Sequence, residues 1–329
     1  MKLASLKNSK SKDGELVVVS HDNQSYVSAT DVAPNLLTAI EYWQTAEPLL
    51  KKKYQDLNQN KISGAVKITD EKIFESCLPR TWLFADGSAF IHHIKLVRQA
   101  RKAELPATLL TTPLMYQAES GRFMAPTENI PQIDFSHGTD FEAEVGVIVD
   151  FVPKGISAEE ALQHIKLCVI LNDVSLRGLI PEELASGFGF FQSKPNKALS
   201  PLAVTIDELG GAWKDGRIHL PLLVDYNGQF FGRANAKEMH FHFGQLIAHA
   251  ARTRDLAAGT LIGSGTVSNE DMSVGSCCLV EKRTLEQIHQ NEIKTPYMSV
   301  GDTIEIKMLG ENGENIFGRI YQKVEKHKI

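Results

Sequence analysis

The segment that decides the fold reads DFEAEVGVIVD and spans residues 140–150. Side chains alternate between the two faces of a β-strand, so Glu142 and Glu144 share one face, which continues as Gly146 and Ile148. The other face is apolar throughout. Taken alone, the segment suits an amphipathic strand whose glutamates face water. The apolar continuation of the glutamate face favours a second interpretation, in which a cation offsets the repulsion between the two carboxylates.

Two further acidic residues lie where predicted elements begin or end. Asp173 closes the apolar run 167–171 at the start of a loop, a common position for functional residues, although a structural capping role is equally compatible. Asp86 is predicted to lie in a turn, with a helix that starts near Ser88. His92 and His93 follow about two helical turns further on, and one of this pair is a candidate general base if Asp86 belongs to a site. Hard divalent cations such as Mg²⁺, Mn²⁺ or Ca²⁺ prefer all-oxygen sites of this kind.

The first 76 residues predict a small N-terminal domain. It is expected to contain, in chain order, a strand at 1–6, a hairpin turn at 13–14, strands at 15–20 and 25–29, one long helix through 36–50, and a polar loop at 56–64. The long helix follows the capping chemistry of residues 31–35. The loop is expected to lead into a second domain.

Residues 77–329 predict a C-terminal domain of short strands with two helices. The expected strands are 142–149, 167–171, 202–206, 220–226, 260–263, 277–281 and 303–308. Ser157 and Glu160 predict a capping box for a helix at 157–165, and a second helix is expected at 243–253. Many short strands with few long helices favour an α+β, β-rich fold of rolled mixed sheets or a barrel.

Composition and charge exclude several classes of function. The net charge of -5, with scattered basic residues, argues against nucleic-acid binding. No apolar run approaches the roughly 20 residues of a membrane helix, and the N-terminus carries no signal-peptide core, so we expect a cytoplasmic protein. The four cysteines form no C-x-x-C pair. Cys277 and Cys278 are expected to be buried thiols on opposite faces of a strand.

Three competing chemistries find little support. The sequence contains no G-x-S-x-G elbow of a serine hydrolase and no G-x-G-x-x-G fingerprint of a nicotinamide enzyme. His240, His242 and His249 invite a zinc interpretation, and two of them could share a helix face. No acidic or cysteine ligand nearby completes a zinc shell, so we expect these histidines to be structural.

Four short motifs occur together in a fixed order. They are Glu142-x-Glu144, Asn172-Asp173-x-Ser175-x-Arg177, Ser193-Lys194 and Gly263-Ser264-Gly265-Thr266. Their order and spacing resemble the fumarylacetoacetate hydrolase family over nearly all of residues 77–329. Residues 1–76 look like the small N-terminal domain of bacterial two-domain members.

The resemblance implies a divalent cation, with Mg²⁺ favoured and Mn²⁺ or Ca²⁺ possible, held by Asp86, Glu142, Glu144 and Asp173. The catalytic residues it implies are His93 as the base, Glu281 as the residue that orients water, and Lys194 and Arg177 as the cations that steady substrate oxygens. The substrate contacts it implies are Tyr116, Thr266 and Arg101. Glu281 stands two residues later than in the animal enzymes, on the expected strand. Ile180 and Ala198 replace a glutamine and a threonine of those enzymes.

The activity implied by the resemblance is hydrolysis of the carbon–carbon bond of a β-diketone by a homodimer. Fumarylacetoacetate, cleaved to fumarate and acetoacetate in tyrosine catabolism, is the favoured substrate. The alternatives within the same fold are an acylpyruvate hydrolase, a 2-oxo acid decarboxylase and a hydratase. A non-catalytic binding or scaffold protein is the alternative from another class, and it need not bind a cation. In each enzyme interpretation the partner is a small β-diketo or 2-oxo acid.

Overall fold

The computed structural model describes residues 1–100 and 104–328 of the chain. The described residues form an α+β fold that is rich in strands, as predicted, and β-sheets make up most of its framework. None of the helices in these two ranges is both long enough and apolar enough to cross a membrane.

The N-terminal part begins with a β-hairpin. Its elements are β1 (Lys2–Asn8), β2 (Ser11–Val19), β3 (Ser25–Ser28), α1 (Leu36–Glu41), α2 (Trp43–Asn58) and β4 (Val66–Lys67). The hairpin turns at residues 9–10, so the turn predicted at 13–14 is wrong. Gly14 lies instead inside β2, with a φ of 68°, beside a register shift against β1. A Cβ on Gly14 would lie 2.7 Å from the Leu6 carbonyl oxygen, so this glycine marks a bulge and not the turn.

The single long helix predicted through 36–50 is in fact two helices. The Asn35 side chain caps α1 by accepting a hydrogen bond of 2.9 Å from the Thr38 backbone N–H. Tyr42, with φ -116° and ψ 36°, separates α1 from α2. Since α2 continues to Asn58, the first three residues of the predicted loop at 56–64 are helical.

The C-terminal part alternates short strands with helices. Its first elements are β5 (Phe84–Gly87), α3 (Ile91–Ala100), β6 (Met115–Ala118), β7 (Ile130–Gln132), β8 (Thr139–Asp140), β9 (Ala143–Val149), α4 (Ala158–Ala161), β10 (Ile165–Asn172), β11 (Ser175–Leu176) and α5 (Ile180–Ser186). Its later elements are β12 (Ala198–Leu199), β13 (Leu202–Val204), β14 (Trp213–Lys214), β15 (Arg217–Ile218), β16 (Leu222–Tyr226), β17 (Gln229–Gly232), α6 (Phe243–Ala250), β18 (Leu261–Gly263), α7 (Leu279–Gln290), β19 (Thr303–Leu309) and β20 (Asn315–Lys326). The capping box predicted for Ser157 and Glu160 is present at the start of α4.

Two large sheets contain most of these strands, and the pairs β8–β11 and β14–β15 form two further two-stranded sheets. The larger has the order β4-β3-β2-β1-β13-β10-β9-β18-β5-β6, with β12 paired to β10 beside this path. It crosses from the N-terminal part to the C-terminal part where β1 pairs with β13. The smaller has the order β17-β16-β19-β20-β7. Within the described residues both sheets are open, so the rolled mixed sheets are confirmed in an open form and not as a barrel.

Strands β9 and β10 are buried on both faces. On one face Val147 and Ile170 belong to the main C-terminal core. On the other face Ile148 and Val169 pack in a cluster that also contains the apolar side chains of α1 and α2. Glu144 shares the face of Ile148 and therefore lies in the interior of the protein. The amphipathic strand with glutamates in water is thus wrong, because both faces of β9 are buried.

The strand predicted at 277–281 is wrong beyond Cys278. This residue is extended, with φ -157° and ψ 159°, but α7 begins at the next position. The Asp140 carboxylate accepts hydrogen bonds from the backbone N–H groups of Leu279 (2.7 Å) and Val280 (3.0 Å). These are two of the donors that the first turn of a helix leaves without an internal partner. Both neighbouring cysteines are buried, as expected.

Candidate metal centre and active site

Asp86 lies in β5 and not in the turn predicted for it, and the helix after it begins at Ile91 instead of Ser88. Strand β5 runs parallel to β18, with Asp86 opposite Gly263. A Cβ on Gly263 would lie 2.3 Å from Asp86 Oδ1, so the carboxylate occupies space that only glycine leaves. Strand β18 also pairs with β9, which carries Glu144. The sheet therefore brings two distant acidic residues together.

Asp86, Glu144 and Asp173 form a buried carboxylate cluster. One oxygen of each residue lies within 4.8 Å of the others. Their exposed fractions are 3%, 0% and 0%, so bulk water contributes little to their solvation. Three of the four predicted metal ligands therefore converge. Glu142, the fourth, lies outside this group and contacts cationic side chains instead.

Burial and mutual repulsion make it unfavourable for all the carboxylates of this region to be ionised at once. Burial, and then the neighbouring Asp173 carboxylate, raise the pKa of Asp86 well above its usual range. Burial, and then Asp86, raise the pKa of Glu144 in the same way. Burial also acts against the charge on Glu142, but nearby cations outweigh it and hold the pKa of Glu142 below its ordinary value. The carboxylates of Asp86 and Glu144 thus lack the cations that Glu142 has.

Both carboxylate oxygens of Glu144 have no hydrogen-bond donor among the described residues, and Oδ1 of Asp173 has only an ion-pair contact, of 3.2 Å, with Lys197 Nζ. Buried polar atoms in folded proteins are nearly always satisfied, so these exceptions need a physical explanation. A hard divalent cation takes carboxylate oxygens as ligands at about 2.0–2.6 Å. The residues present therefore fit such an ion.

Lys194 joins the fourth predicted ligand to the cluster. Its Nζ donates to Glu142 Oε2 at 2.7 Å and to Asp173 Oδ2 at 2.5 Å. It also lies 5.5 Å from the centre of the Tyr116 ring. Burial alone would lower the pKa of Lys194, but the two carboxylates raise it above its ordinary value. The ammonium group therefore keeps its charge and offsets part of the carboxylate repulsion.

Lys197 is a second buried cation that the sequence interpretation missed. Its Nζ lies 3.2 Å from Asp173 Oδ1 and donates its hydrogen bonds to the carbonyl oxygens of Lys194 and Pro195. The side chain is fully buried. A lysine in a polar loop is usually a solvent-exposed residue, so the local sequence carries no signal for this contact.

Arg177 is tied to two carboxylates. Its Nε donates to Asp140 Oδ2 at 2.8 Å, and its second terminal nitrogen donates to Glu142 Oε1. Asp140 is the other residue that the sequence interpretation missed as part of the site, because its partners lie on α7 and β11 and not on its own strand. Through Arg177 and the first turn of α7, Asp140 links the surroundings of Glu142 to those of Glu281.

His93 and Glu281 form a pair beside the cluster. His93 lies on α3 and Glu281 in the first turn of α7, and His93 Nδ1 lies 2.9 Å from Glu281 Oε2. The His93 side chain is 15% exposed, whereas Glu281 is buried. A carboxylate partner at Nδ1 favours the tautomer that carries its proton there and leaves the lone pair on Nε2. The two predicted catalytic residues are thus in contact, although Glu281 lies on a helix and not on the predicted strand.

The predicted substrate contacts divide into three cases. The Tyr116 hydroxyl donates to Asp173 Oδ2 at 2.9 Å, next to the cluster. Thr266 is buried and lines the same cavity. Arg101 lies outside the described residues.

A cavity of about 390 Å³ is lined by polar site residues on one side and by apolar side chains on the other. Its polar wall contains Asp86, His93, Tyr116, Glu142, Arg177, Lys194 and Thr266. Its apolar wall contains Phe90, Ile94, Val97, Leu114, Met115, Ile180, Leu184 and Phe190. A small number of polar groups converging on one side of an apolar pocket is typical of small-molecule sites.

A second cleft and a pair of histidines lie elsewhere in the protein, and neither forms a comparable site. A larger cleft of about 940 Å³ lies near His21, Asp70 and Arg319, but it contains none of the converging ligand groups found in the described residues. His242 and His249 also belong to no such group within residues 1–100 and 104–328. Among the described residues, both groups of potential ligands therefore include a residue that lines the cavity of Asp86 and His93.

Comparison with known proteins assigns the family. The family model described as Fumarylacetoacetate (FAA) hydrolase C-terminal matches residues 83–325. The model described as Fumarylacetoacetase N-terminal domain 2 matches residues 1–80. The chain belongs to the fumarylacetoacetate hydrolase family. The domain division predicted at residues 76 and 77 stays a prediction.

The similar proteins are distant. A 2,4-didehydro-3-deoxy-L-rhamnonate hydrolase from Sphingomonas sp. (strain SKA58) is 27% identical over 191 residues, which are 57% of this chain and 64% of that protein. The chain thus spans less than two thirds of the length of the curated relatives it matches. The maleylpyruvate hydrolase structure from Sphingobium sp. SYK-6, in complex with manganese(II) ion and pyruvate, has a TM-score of 0.67 at 16% identity over 100% of both chains.

A 5-carboxymethyl-2-hydroxymuconate delta-isomerase from Mycobacterium smegmatis has a TM-score of 0.62 at 16% identity over 100% of both chains. At these identities the structural likeness shows the fold alone. The family models therefore show the family, and the solved structures show that a hydrolase and an isomerase share its fold.

Proposed function

We propose that this chain is a divalent-metal-dependent hydrolase that cleaves a carbon–carbon bond of a β-diketo acid. Fumarylacetoacetate is the first candidate substrate, and the products would be fumarate and acetoacetate. The observation that carries the proposal is that one cavity is lined both by Asp86, which clusters with the buried Glu144 and Asp173, and by His93, which pairs with Glu281.

The carboxylate cluster is the proposed holder of the cation. Asp86, Glu144 and Asp173 would bind it directly, and Glu142 is the proposed fourth ligand once its carboxylate turns from Lys194. Mg²⁺ is the first candidate, and Mn²⁺ or Ca²⁺ suits the same donors. When bound, such a cation supplies Lewis-acid stabilisation of negative charge on substrate oxygens. The unsatisfied oxygens of Glu144 support this assignment.

The His93–Glu281 pair is proposed to move the proton. The Glu281 carboxylate accepts a hydrogen bond from the protonated Nδ1 of His93. The lone pair of His93 is then at Nε2, where it can take a proton from a water molecule. The resulting hydroxide attacks the substrate carbonyl, the carbon–carbon bond breaks, and its electron pair passes to the departing enolate carbon. His93 then returns the proton to that carbon. Base assistance of this kind is typically worth about 10²- to 10⁴-fold in rate.

Lys194 and Arg177 are proposed to favour the developing negative charge. Both line the cavity and both are buried cations. An ammonium group has three donors, and among the described residues Lys194 gives two of them to Glu142 and Asp173. The third is available for a substrate oxygen. Fixed positive charge in a dry pocket stabilises an oxyanion more strongly than it would in water.

An acylpyruvate with an apolar acyl group is the second candidate substrate. Two polar positions of the animal fumarylacetoacetases are Ile180 and Ala198 in this chain. Ile180 belongs to the apolar wall of the cavity, together with Leu184 and Phe190. An apolar wall favours a substrate with less polar surface than fumarylacetoacetate, because burying an unpaired polar group is costly.

A product assay tests the proposal. The purified protein, first treated with EDTA, is incubated with fumarylacetoacetate, an acylpyruvate or oxaloacetate, each with and without Mg²⁺. We expect hydrolysis of a β-diketo acid that requires Mg²⁺. Failure to turn over any of them, together with failure to bind a divalent cation, would support the scaffold alternative.

His93→Ala separates a hydrolase from a decarboxylase. We expect it to lose hydrolysis by about 10²-fold or more while Mg²⁺ binding persists. His92→Ala, on the same helix, is the matched control and should retain activity. Cleavage of oxaloacetate that survives His93→Ala would favour the decarboxylase instead. A homodimer and a cytoplasmic location are proposed as well, and light scattering of the purified protein tests the first.

A further inference from the structure

A second group of potential metal ligands lies next to the carboxylate cluster. One ring nitrogen of His93, the Sγ atom of Cys278 and one carboxylate oxygen of Glu281 all lie within 4.8 Å of one another. Cys278 immediately precedes α7, and Glu281 lies in its first turn. The proposed proton transfer uses the histidine and the glutamate, but it gives the thiol no part.

The donor atoms of this group differ in kind from those of the carboxylate cluster. The cluster offers only oxygen, which suits hard ions such as Mg²⁺. His93, Cys278 and Glu281 offer nitrogen, sulfur and oxygen, which suit the borderline ion Zn²⁺. Three protein ligands with a fourth position left for water is a common arrangement for zinc that stays accessible to small molecules.

We propose that His93, Cys278 and Glu281 form a binding site for Zn²⁺ or a chemically similar divalent cation such as Co²⁺, separate from the carboxylate cluster. The ion would bind the neutral imidazole, the carboxylate and the thiolate. Cys278 releases its proton to solvent when the metal–sulfur bond forms, and no electron transfer is involved. The ion reaches the site through the cavity, because His93 is partly exposed there.

Occupation of this site would inhibit the enzyme. The lone pair of His93 and the carboxylate of Glu281 would be engaged by the ion, so the histidine could not accept a proton from water. This consequence rests on the proposed function, whereas the binding itself does not. The rate should fall with zinc occupancy even when Mg²⁺ is saturating, because the two ions would occupy different ligands.

Cys277 provides a matched control for Cys278. The two cysteines are adjacent and equally buried, and burial raises the pKa of both thiols. Only Cys278 belongs to the ligand group among the described residues. Substitution of either one therefore removes a buried thiol, but only one substitution removes the proposed metal ligand.

The test is a Co²⁺ titration in saturating Mg²⁺ without substrate. Co²⁺ bound to a thiolate gives a charge-transfer absorption band in the near ultraviolet, which oxygen ligands do not give. We expect the band in the wild type and in Cys277→Ser. We expect Cys278→Ser and Cys278→Ala to lose it, with Co²⁺ binding weakened by more than the roughly 10- to 100-fold that loss of an outer-shell partner causes.

Three results would overturn the proposal: no band in the folded wild type, a band that persists in both Cys278 variants, or a band that only Cys277→Ser removes. Circular dichroism and thermal unfolding establish that each variant is folded. If the protein hydrolyses a β-diketo acid with Mg²⁺ but gives no band, the zinc site fails and the proposed function stands. If the band appears and no substrate is turned over, the site stands and the proposed function fails.

Discussion

Gly263→Ala tests the position of Asp86 with a single methyl group. The new Cβ would lie 2.3 Å from Asp86 Oδ1 and 2.9 Å from the Phe84 ring, and real Cβ contacts essentially never fall below 3.0 Å. The φ angle of Gly263 is not positive, so its backbone accepts alanine. The carboxylate oxygen must therefore retreat by roughly 0.7 Å, more than the ~0.2 Å by which metal–ligand distances normally vary.

The expected result is a loss of metal affinity. Misplacement of a functional group by about 1 Å can cost about 10²-fold, so we expect Mn²⁺ and Mg²⁺ to bind roughly 10- to 100-fold more weakly. This corresponds to about 1.4–2.7 kcal/mol of binding free energy. The contact with Phe84 adds an overpacking cost of about 1–3 kcal/mol to the free energy of unfolding. Thermal unfolding must therefore accompany the binding measurement.

Isothermal titration calorimetry with Mn²⁺ is the assay, and Gly211→Ala is the matched control. A Cβ on Gly211 would meet no atom within 4 Å, and its φ angle is not positive either. We expect wild-type affinity for this control. If folded Gly263→Ala also bound Mn²⁺ with wild-type affinity, Asp86 could not be a ligand from the position it occupies.

Three further predictions concern stability. The pKa of Glu144 is raised above its ordinary value of 4.5, so the contribution of Glu144 to stability is complete below that pH and is lost as the pH rises through the folded-state pKa. In EDTA, the melting temperature of Glu144→Gln relative to that of the wild type should therefore increase from pH 4 to pH 7. A difference that does not change with pH would contradict this. Asp140→Asn breaks the buried pair with Arg177 and should cost about 3–5 kcal/mol in urea unfolding, whereas an unchanged midpoint would argue against the pair. Mg²⁺ at 100 times its Kd should stabilise the wild type by about 2.7 kcal/mol relative to EDTA, and equal melting temperatures would refute binding to the folded state.

The sequence draws attention to several acidic residues because part of their signal is local. Face alternation in residues 140–150 groups Glu142 with Glu144, and the end of an apolar run marks Asp173. The burial of these side chains does not follow from their own strand. It depends on side chains from distant parts of the chain, which pack on that face of the sheet.

The missed residues owe their positions to contacts between distant segments. An apolar stretch at 277–279 resembles a strand, but the Asp140 carboxylate, more than a hundred residues earlier, provides two acceptors for the first turn of α7. Lys197 looks like a solvated loop residue until the fold places it against Asp173. A local pattern cannot show such partners, and for this reason the sequence predicts a strand at Glu281.

Two glycines also show that a local sequence pattern does not reveal contacts made in the fold. Gly14 follows an aspartate and suggests a turn, yet it lies in a bulge within β2. Gly263 belongs to one of the four motifs, yet the motif does not show that the missing side chain makes room for Asp86. The first case is a local signal with the wrong meaning, and the second is a steric requirement that only the folded sheet creates.

The central claim is that Asp86, Glu144 and Asp173 hold a divalent cation. Crystals soaked in Mn²⁺, measured at a wavelength where manganese scatters anomalously, test it directly. The account predicts an anomalous peak about 2.0–2.6 Å from an oxygen of each of the three carboxylates. A map without a peak among these oxygens, in crystals where Mn²⁺ has bound elsewhere, would contradict it.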